Sequence, residues 1–509
     1  MSKFHSTMSR RDFMKAIGLG AAGAATAAAT VPVFRDLDEA AATEASSLNK
    51  NPWWVKERDF NNPTVEINWQ DFRRQDGFKF KSLPRPSVAD FENAGVVGGY
   101  MTDLATPAQA LALYDYCEKE FPGWDKGPFG SGDLRSTALD NASKFLMMGQ
   151  WPGEMNQGNG VRVNIRAAIT AAGGAAGFTS FVGPQLTTTL RPQDYGVPRW
   201  EDNEENNLKT CRAALRFFGA QNVGAGVLDE YTIKTILSYS KTPSGFNDGT
   251  GSGGKPILVK DVEDAYENDD EIVIPSKCKY ILTFSARQSF EATRRQAGIT
   301  EGFAVWYCYA RYRKMICHLQ EFMRGLGYQC LDLTNLYLSN PLSVLVGMGE
   351  HGRMSSPIIT PKNGVTDRVM WSVLTDMPLS PSKPIDFGAT KFCETCGICA
   401  DSCPFGLIQK GSSSWENSAA LGNGLEQGTW KGWRTDNANC PHCPTCQGTC
   451  PFSSISKSFI HEAVKATAST TSLFNGFFTS MEKFMGYGRK PQWSWWDLDE
   501  PTYGWDTTA

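Results

Sequence analysis

The sequence has no excess of positive charge: 50 lysines and arginines stand against 54 aspartates and glutamates, for a formal net charge of −4 and a pI near 5.9. Such a chain is poorly suited to neutralising a phosphate backbone or holding an anionic surface, so nucleic acid is not an expected partner. Beyond the N-terminal region it also lacks any run of ~20 apolar residues, the length a membrane-spanning helix needs. The mature protein is therefore expected to be soluble or peripheral. What remains is an ordinary globular composition, 41% hydrophobic and 12% aromatic, enough for a large core spread over about two or three domains.

The fourteen cysteines are unevenly placed. Cys117, Cys211, Cys278, Cys308, Cys317 and Cys330 follow no ligand spacing and read as small core side chains. The other eight form two copies of one pattern. The first is Cys393-x2-Cys396-x2-Cys399-x3-Cys403-Pro404, the second Cys440-x2-Cys443-x2-Cys446-x3-Cys450-Pro451. This is the spacing of bacterial two-cluster ferredoxins, in which the fourth cysteine of each run turns away to the other cluster. It predicts two 4Fe-4S clusters, one held by Cys393, Cys396, Cys399 and Cys450 and one by Cys403, Cys440, Cys443 and Cys446. A zinc site would use paired knuckles without a third cysteine and a Cys-Pro. A disulfide framework would rarely repeat one spacing in full.

The N-terminus reads as an address. Ser9-Arg10-Arg11-Asp12-Phe13-Met14-Lys15 leads into a mild apolar run from Ala16 to Val33, followed by Ala40-Ala41-Ala42. That layout predicts a twin-arginine export signal over residues 1–42, the bland alternative being an alanine-rich helix with solvated arginines. Export of an already folded protein suits a chain that must take up metal clusters first.

Between these ends, residues 43–195 read as an irregular region wrapped over a core, with a helix over 106–120 broken by Phe121-Pro122-Gly123-Trp124. Residues 196–385 alternate helix and strand. The pattern predicts a helix over 204–218, a short strand at 223–228, a strand at 279–285 and a helix ending at Gly327, all pointing to an α/β core. The proline-rich stretch Pro378 to Gly388 is a rigid linker into a ferredoxin-like part at 386–460, and residues 461–509 pack back on the core.

Two clusters leave most of the chain unexplained, and its other segments carry a resemblance. Phe121-Pro122-Gly123-Trp124, Phe218-Gly219-Ala220 with Val223-Gly224-Ala225, Leu326-Gly327-Tyr328, Gly349-Glu350-His351-Gly352-Arg353, Thr375-Asp376-Met377-Pro378-Leu379 and Pro384-Ile385-Asp386 follow in that order, and Phe474-Asn475-Gly476-Phe477-Phe478 through Gly486-Tyr487-Gly488 close the series. Together with the signal and both cysteine motifs, the chain resembles the respiratory corrinoid-dependent reductive dehalogenases of organohalide-respiring bacteria. The resemblance implies a mixed α/β (α+β) fold, with a nitroreductase-like corrinoid-binding core followed by the two-cluster domain.

It also implies a reaction: halogen on a small organic substrate is replaced by hydrogen, electrons passing through both clusters to a corrinoid cobalt. The corrinoid is expected base-off without a histidine ligand, and none of His5, His318, His351, His442 and His461 sits in an Asp-x-His-x-x-Gly arrangement. Counted back from Leu326-Gly327-Tyr328 in the family's register, the proton-donating tyrosine is Tyr309, with Tyr307 and Tyr312 as neighbours in register. A phenol of ordinary pKa ~10 is a weak acid at neutral pH, and a nearby cation favours the phenolate it leaves. Arg368 stands where relatives carry Arg or Lys, with Arg353 as its rival, since Val365 to Ser372 departs from the commoner Gly-Pro-Arg pattern. Asn335 matches an asparagine that orients substrate or tyrosine. The implied partners are a small integral-membrane anchor protein and an upstream respiratory electron donor, at the outer face of the cell membrane. Two other readings share some of these features: an epoxyqueuosine-reductase-like enzyme, which is cytosolic and acts on tRNA, and an exported electron-transfer subunit without its own substrate.

Overall fold

The computed structural model describes residues 51–77, 88–96, 106–126, 154–156, 162–164, 181–183, 189–240, 254–295, 299–355, 357–416, 429–436, 439–453, 459–485 and 489–498. The export signal over 1–42, most of Gly158 to Gly183 and the Gly486-Tyr487-Gly488 segment lie outside them.

Local chemistry fixes the helix ends. Thr106 caps α1 (Pro107–Glu120): its hydroxyl accepts from the Gln109 amide and the Gln109 side chain accepts from the Thr106 N–H, so two otherwise unpaired donors are satisfied reciprocally. Asn203 caps α2 (Glu204–Phe218) in the same sense, accepting from the Asn206 N–H, and Leu208, Cys211 and Leu215 form its buried stripe. Next come β1 (Val223–Val227), β2 (Tyr280–Arg287), the long helix α3 (Ile299–Leu326), β3 (Cys330–Asp332) and β4 (Asp367–Thr375). The predicted helices and strands fall on these elements to within a few residues.

The central sheet has the order β1-β2-β4-β3, and every neighbouring pair is antiparallel. Helix–strand alternation alone does not fix strand direction here. β2 and β4 are separated by α3, β3 and a long irregular stretch, so the chain can return either way. The pleat sends successive side chains to opposite faces, and both faces are covered. Leu282, Phe284, Trp371 and Val373 join Tyr312, Ile316, Leu319 and Met323 of α3 and the stripe of α2. Ile281, Val369 and Leu374 face the other way, toward Ile236, Ile257, Ile274 and Leu342. A second sheet supplies part of that layer, with Ile257–Lys260 parallel to Ile272–Pro275 and Tyr266–Glu267 at its far edge.

The proline-rich stretch after β4 is tied to the core along its length. Ser380 N–H donates to Glu204, Ser382 N–H to Ala225, and Ile385–Asp386 pairs with Lys56–Glu57. It delivers the chain to α4 (Ala389–Cys396) and α5 (Ile398–Asp401), and the second cysteine run follows with α6 (Thr445–Gly448). Two final helices, α7 (Phe459–Thr470) and α8 (Asn475–Met485), lie against α4. There Lys465 is buried with its ammonium on the Lys362 carbonyl, 2.8 Å away, and Lys483 meets Asp401 at 3.0 Å. Among the described residues no helix is long and apolar enough to cross a membrane.

Candidate active site and metal centres

The cysteine region begins with a buried carboxylate. Glu350 accepts from the backbone N–H groups of Phe387, Ala389 and Thr390, at 2.5, 3.2 and 3.0 Å, and so fills the N-terminal end of α4. Burial raises its pKa above the usual carboxylate value, although these three donors favour the charged form. α4 carries Cys393 and Cys396, α5 carries Cys399, and Cys450 follows α6. These four cysteines line one cavity together with Ile359, Phe392 and Phe452. Cys403, Cys440, Cys443 and Cys446 form a second group, in which burial, and then the nearby Cys440, Cys399 of the first group, Cys443 and Cys403, push the Cys446 thiol up.

All fourteen cysteines are free thiols, so no disulfide framework is present. Among the described residues no three His, Cys, Asp or Glu side chains converge as ligands of a single ion. The first group instead surrounds a space, as ligands to the corners of a multi-iron body do. Burial, joined in all but Cys396 by mutual repulsion, raises the thiol pKa values of Cys393, Cys396, Cys399 and Cys446, and those of Cys440 and Cys450 to about 12. Four thiolates can share such a place only around a cationic body, and the residues present fit two 4Fe-4S clusters.

The Gly349–Arg353 run, singled out in the sequence only as part of a resemblance, packs directly on the first group. A Cβ on Gly352 would stand 2.5 Å from Ile359 Cδ1, so a side chain there would displace Ile359, and 3.5 Å from the Cys393 sulfur, which places this loop against the pocket. Gly364 has φ +60° and the backbone of Phe452, just beyond Cys450, fills its Cβ direction at 2.4 Å. Arg353 is buried and its guanidinium donates to the carbonyls of Cys393, Gln409 and Gly411. That placement is far from the expected alternative, a cation beside the tyrosine. His351 is buried with its ring edge-on to Trp430 at 4.3 Å, and burial lowers its pKa to about 3.

Arg368, by contrast, stands beside Tyr309. Its guanidinium carbon is 6.0 Å from the Tyr309 ring centroid, Nε donates to Gln288 Oε1 at 2.7 Å and Nη2 to Gln447 Oε1 at 3.0 Å. Gln447 directly follows Cys446, so one buried arginine touches both the tyrosine and the second cysteine run. Its charge, together with burial, holds the His442 pKa down at about 4.

Tyr309 is half-buried on α3, with its ring edge-on to Trp371 at 5.8 Å. Tyr312 plays a different part. It is 1% exposed, stacks on Trp371 at 4.2 Å and donates to Asp332 Oδ1 at 3.1 Å, and burial drives its pKa far above the usual phenol value. Tyr307 is about 200° round the helix from Tyr309. Asn335 sits in a turn after β3 with φ 65°, in the left-handed region. Asp332 holds that turn by accepting from the Thr334 N–H and hydroxyl at 2.9 and 2.7 Å, and Arg313 faces the same carboxylate at 3.4 Å. The structure thus joins Tyr309 to Arg368 by direct contact, and links Asn335 to Tyr309 through Thr334, Tyr312 and Trp371.

Two groups of four cysteines, one of them beside the Arg368–Tyr309 pair, fit an iron–sulfur protein, and comparison with known proteins gives the family. A model for the reductive dehalogenase subunit matches residues 50–379, and one for a 4Fe-4S dicluster domain matches residues 392–454. The chain is 34% identical to the chloroethene reductive dehalogenase of Dehalococcoides mccartyi strain VS, over 99% of both chains. It is 29% identical to the trichloroethene reductive dehalogenase of D. mccartyi strain 195, over 99% of this chain and 98% of that one. Among solved structures, the catabolic reductive dehalogenase NpRdhA aligns with TM-score 0.51 and 15% identity over 89% of this chain. This chain spans only 53% of NpRdhA's length. A reductive dehalogenase structure described with a mechanism for B12-dependent dehalogenation gives the same score, identity and coverage. The chain belongs to the reductive dehalogenase family, oxidoreductases that act on carbon–halogen bonds.

Proposed function

We propose that this protein replaces chlorine by hydrogen on a small chlorinated ethene, with Tyr309 as proton donor, Arg368 as its cationic partner and Asn335 orienting the substrate or the tyrosine. The observation that carries this reading is the position of Arg368, in contact with Tyr309 and with Gln447 beside the second cysteine group. The chlorinated ethene is supported by the names of the two D. mccartyi relatives.

The reaction consumes two electrons and one proton and releases chloride. Cys393, Cys396, Cys399 and Cys450 would hold one 4Fe-4S cluster, and Cys403, Cys440, Cys443 and Cys446 the other. A corrinoid, read as base-off from the resemblance, is supported as to its class by a dehalogenase of like fold described as B12-dependent and by two buried polar atoms. The hydroxyls of Ser343 and Ser355 are enclosed without a hydrogen-bond partner in the protein, as groups that meet an amide-rich ligand would be. Of the described histidines, His318 stacks on Phe218, His351 lies edge-on to Trp430 and His442 lies within the second cysteine run.

When bound, the corrinoid supplies a low-potential cobalt for carbon–halogen cleavage and the clusters supply its electrons. The Tyr309 phenol gives its proton to the carbon that loses chloride, and the neighbouring guanidinium stabilises the phenolate left behind. Trp371 and Tyr312 fix the ring from behind. The twin-arginine segment supports export, and a small membrane anchor protein and a respiratory electron donor complete the reading.

Incubating the anaerobically purified holoprotein with reduced viologen and trichloroethene tests this. Chloride release, with two cluster signals by EPR and extractable corrinoid, is the expected result. Clusters without corrinoid, and no halide released from a broad panel, would overturn it in favour of an electron carrier.

A further inference from the structure

Arg353 brings an uncancelled positive charge to one metal centre. Its side chain is 3% exposed. Nε and Nη2 both donate to the Cys393 carbonyl, at 3.2 and 2.5 Å, and Nη2 also reaches the Glu394 carbonyl at 3.4 Å. Nη1 donates to the carbonyls of Gln409 and Gly411 at 3.0 and 2.7 Å, and the guanidinium lies 4.7 Å from the Trp433 ring centroid. Every one of these acceptors is a carbonyl dipole, and none is a carboxylate. The donors are satisfied, so the residue is held rigidly, but the charge itself is left to act on its surroundings. Those surroundings are the cavity lined by Cys393, Cys396, Cys399 and Cys450, which Arg353 also lines.

A cluster gains negative charge when it is reduced, so a fixed cation in a poorly hydrated site favours the reduced form. Net charge, hydrogen bonding and solvent exposure are the terms by which a protein tunes such a potential. The second group does not share this neighbour. Asp436 is near enough to Cys440 to oppose its ionisation, and Arg368 approaches that group through Gln447 and His442.

We propose that Arg353 is a positioning residue that raises the reduction potential of the centre held by Cys393, Cys396, Cys399 and Cys450, and leaves the other centre untouched. This rests on the reading that those cysteines hold a 4Fe-4S cluster. The loop that carries Arg353 is fixed against α4 by Glu350, which accepts from the Phe387, Ala389 and Thr390 N–H groups.

An EPR-monitored redox titration of the full-length holoprotein tests the assignment, with Arg353→Gln and Arg353→Lys beside the wild type. Wild-type iron near eight atoms per chain with two signals is required by the cluster reading itself, and its absence sinks that reading independently of Arg353. Given both clusters, Arg353→Gln is expected to move one midpoint to more negative potential and leave the other in place, while Arg353→Lys recovers most of the shift. Unmoved midpoints in Arg353→Gln, or equal movement of both, overturn the proposal. Loss of four irons in both variants also overturns it, because Arg353 would then be only a clamp on the Cys393 backbone.

Discussion

Arg368 holds its guanidinium 6.0 Å from the centre of the Tyr309 ring while donating to Gln447, the residue after Cys446. A single side chain therefore meets the residue assigned to proton transfer and the segment assigned to electron delivery.

Tyr309→Phe keeps the ring contact with Trp371 and removes only the acidic proton. Dechlorination is expected to fall by on the order of 10²–10⁴ while iron and corrinoid content stay unchanged. Tyr312→Phe is the control. It loses the bond to Asp332, expected to cost about 1 kcal/mol of stability, but leaves the proton donor in place. Equal losses of activity in the two variants would count against the assignment of Tyr309.

Arg368→Gln leaves the Gln288 and Gln447 oxygens short of a donor inside the protein, a penalty of about 1–3 kcal/mol each. A drop in melting temperature is expected, together with a kcat at least tenfold lower and a smaller change in KM. Arg368→Lys should recover part of kcat by restoring charge, though not the two-armed geometry. Steady-state kinetics with reduced viologen measure both.

The fourth cysteine of each run is assigned to the opposite cluster. Cys450→Ala is therefore expected to damage the centre built on Cys393, Cys396 and Cys399, and to leave the signal of the centre built on Cys440, Cys443 and Cys446. Mössbauer and EPR spectra of the variant decide this, and loss of the second signal alone would show that the ligands do not cross.

The folded-state pKa of His351 is depressed from 6.5 to about 3, so the unfolded chain takes up a proton there that the folded chain refuses. The stability this contributes is complete above pH ~6.5 and is lost as pH falls toward 3, at no more than about 1.4 kcal/mol per pH unit. His351→Phe retains an aromatic edge against Trp430 without the titration. Its melting temperature should fall less than that of the wild type between pH 7.5 and pH 5, as followed by calorimetry.

Features written in local spacing were legible before any coordinates. Gly327 marks a helix end, and the two cysteine runs state their own ligand sets, because helix stops and metal-binding turns depend on residues only a few positions apart. The tyrosine, arginine and asparagine came through resemblance, and the fold shows why spacing alone could not supply them. Tyr309 and Arg368 meet only because β4 lies beside β2 and under α3. The antiparallel course of the central sheet, the Trp371–Tyr312 stack and the roles of Glu350 and Arg353 were not legible, since each depends on segments brought together by tertiary packing. For the last two, the one available signal was an acid and a base set between glycines in Gly349-Glu350-His351-Gly352-Arg353.

The contact of Ser469 with the Trp54 carbonyl spans 415 residues of sequence. Lys56 also reaches the Ser469 carbonyl at 3.5 Å, and the neighbouring Ala468 carbonyl fills the Cβ direction of Gly388, where α4 begins. At roughly 5–20 residues per second, a ribosome leaves this seam open for about 20–80 s after Trp54 is made. The helix bearing Cys393 and Cys396 is complete well before the strand of chain that closes over its start. Synthesis itself thus provides an interval in which the Cys393 and Cys396 thiols can be reached from that side before the seam closes.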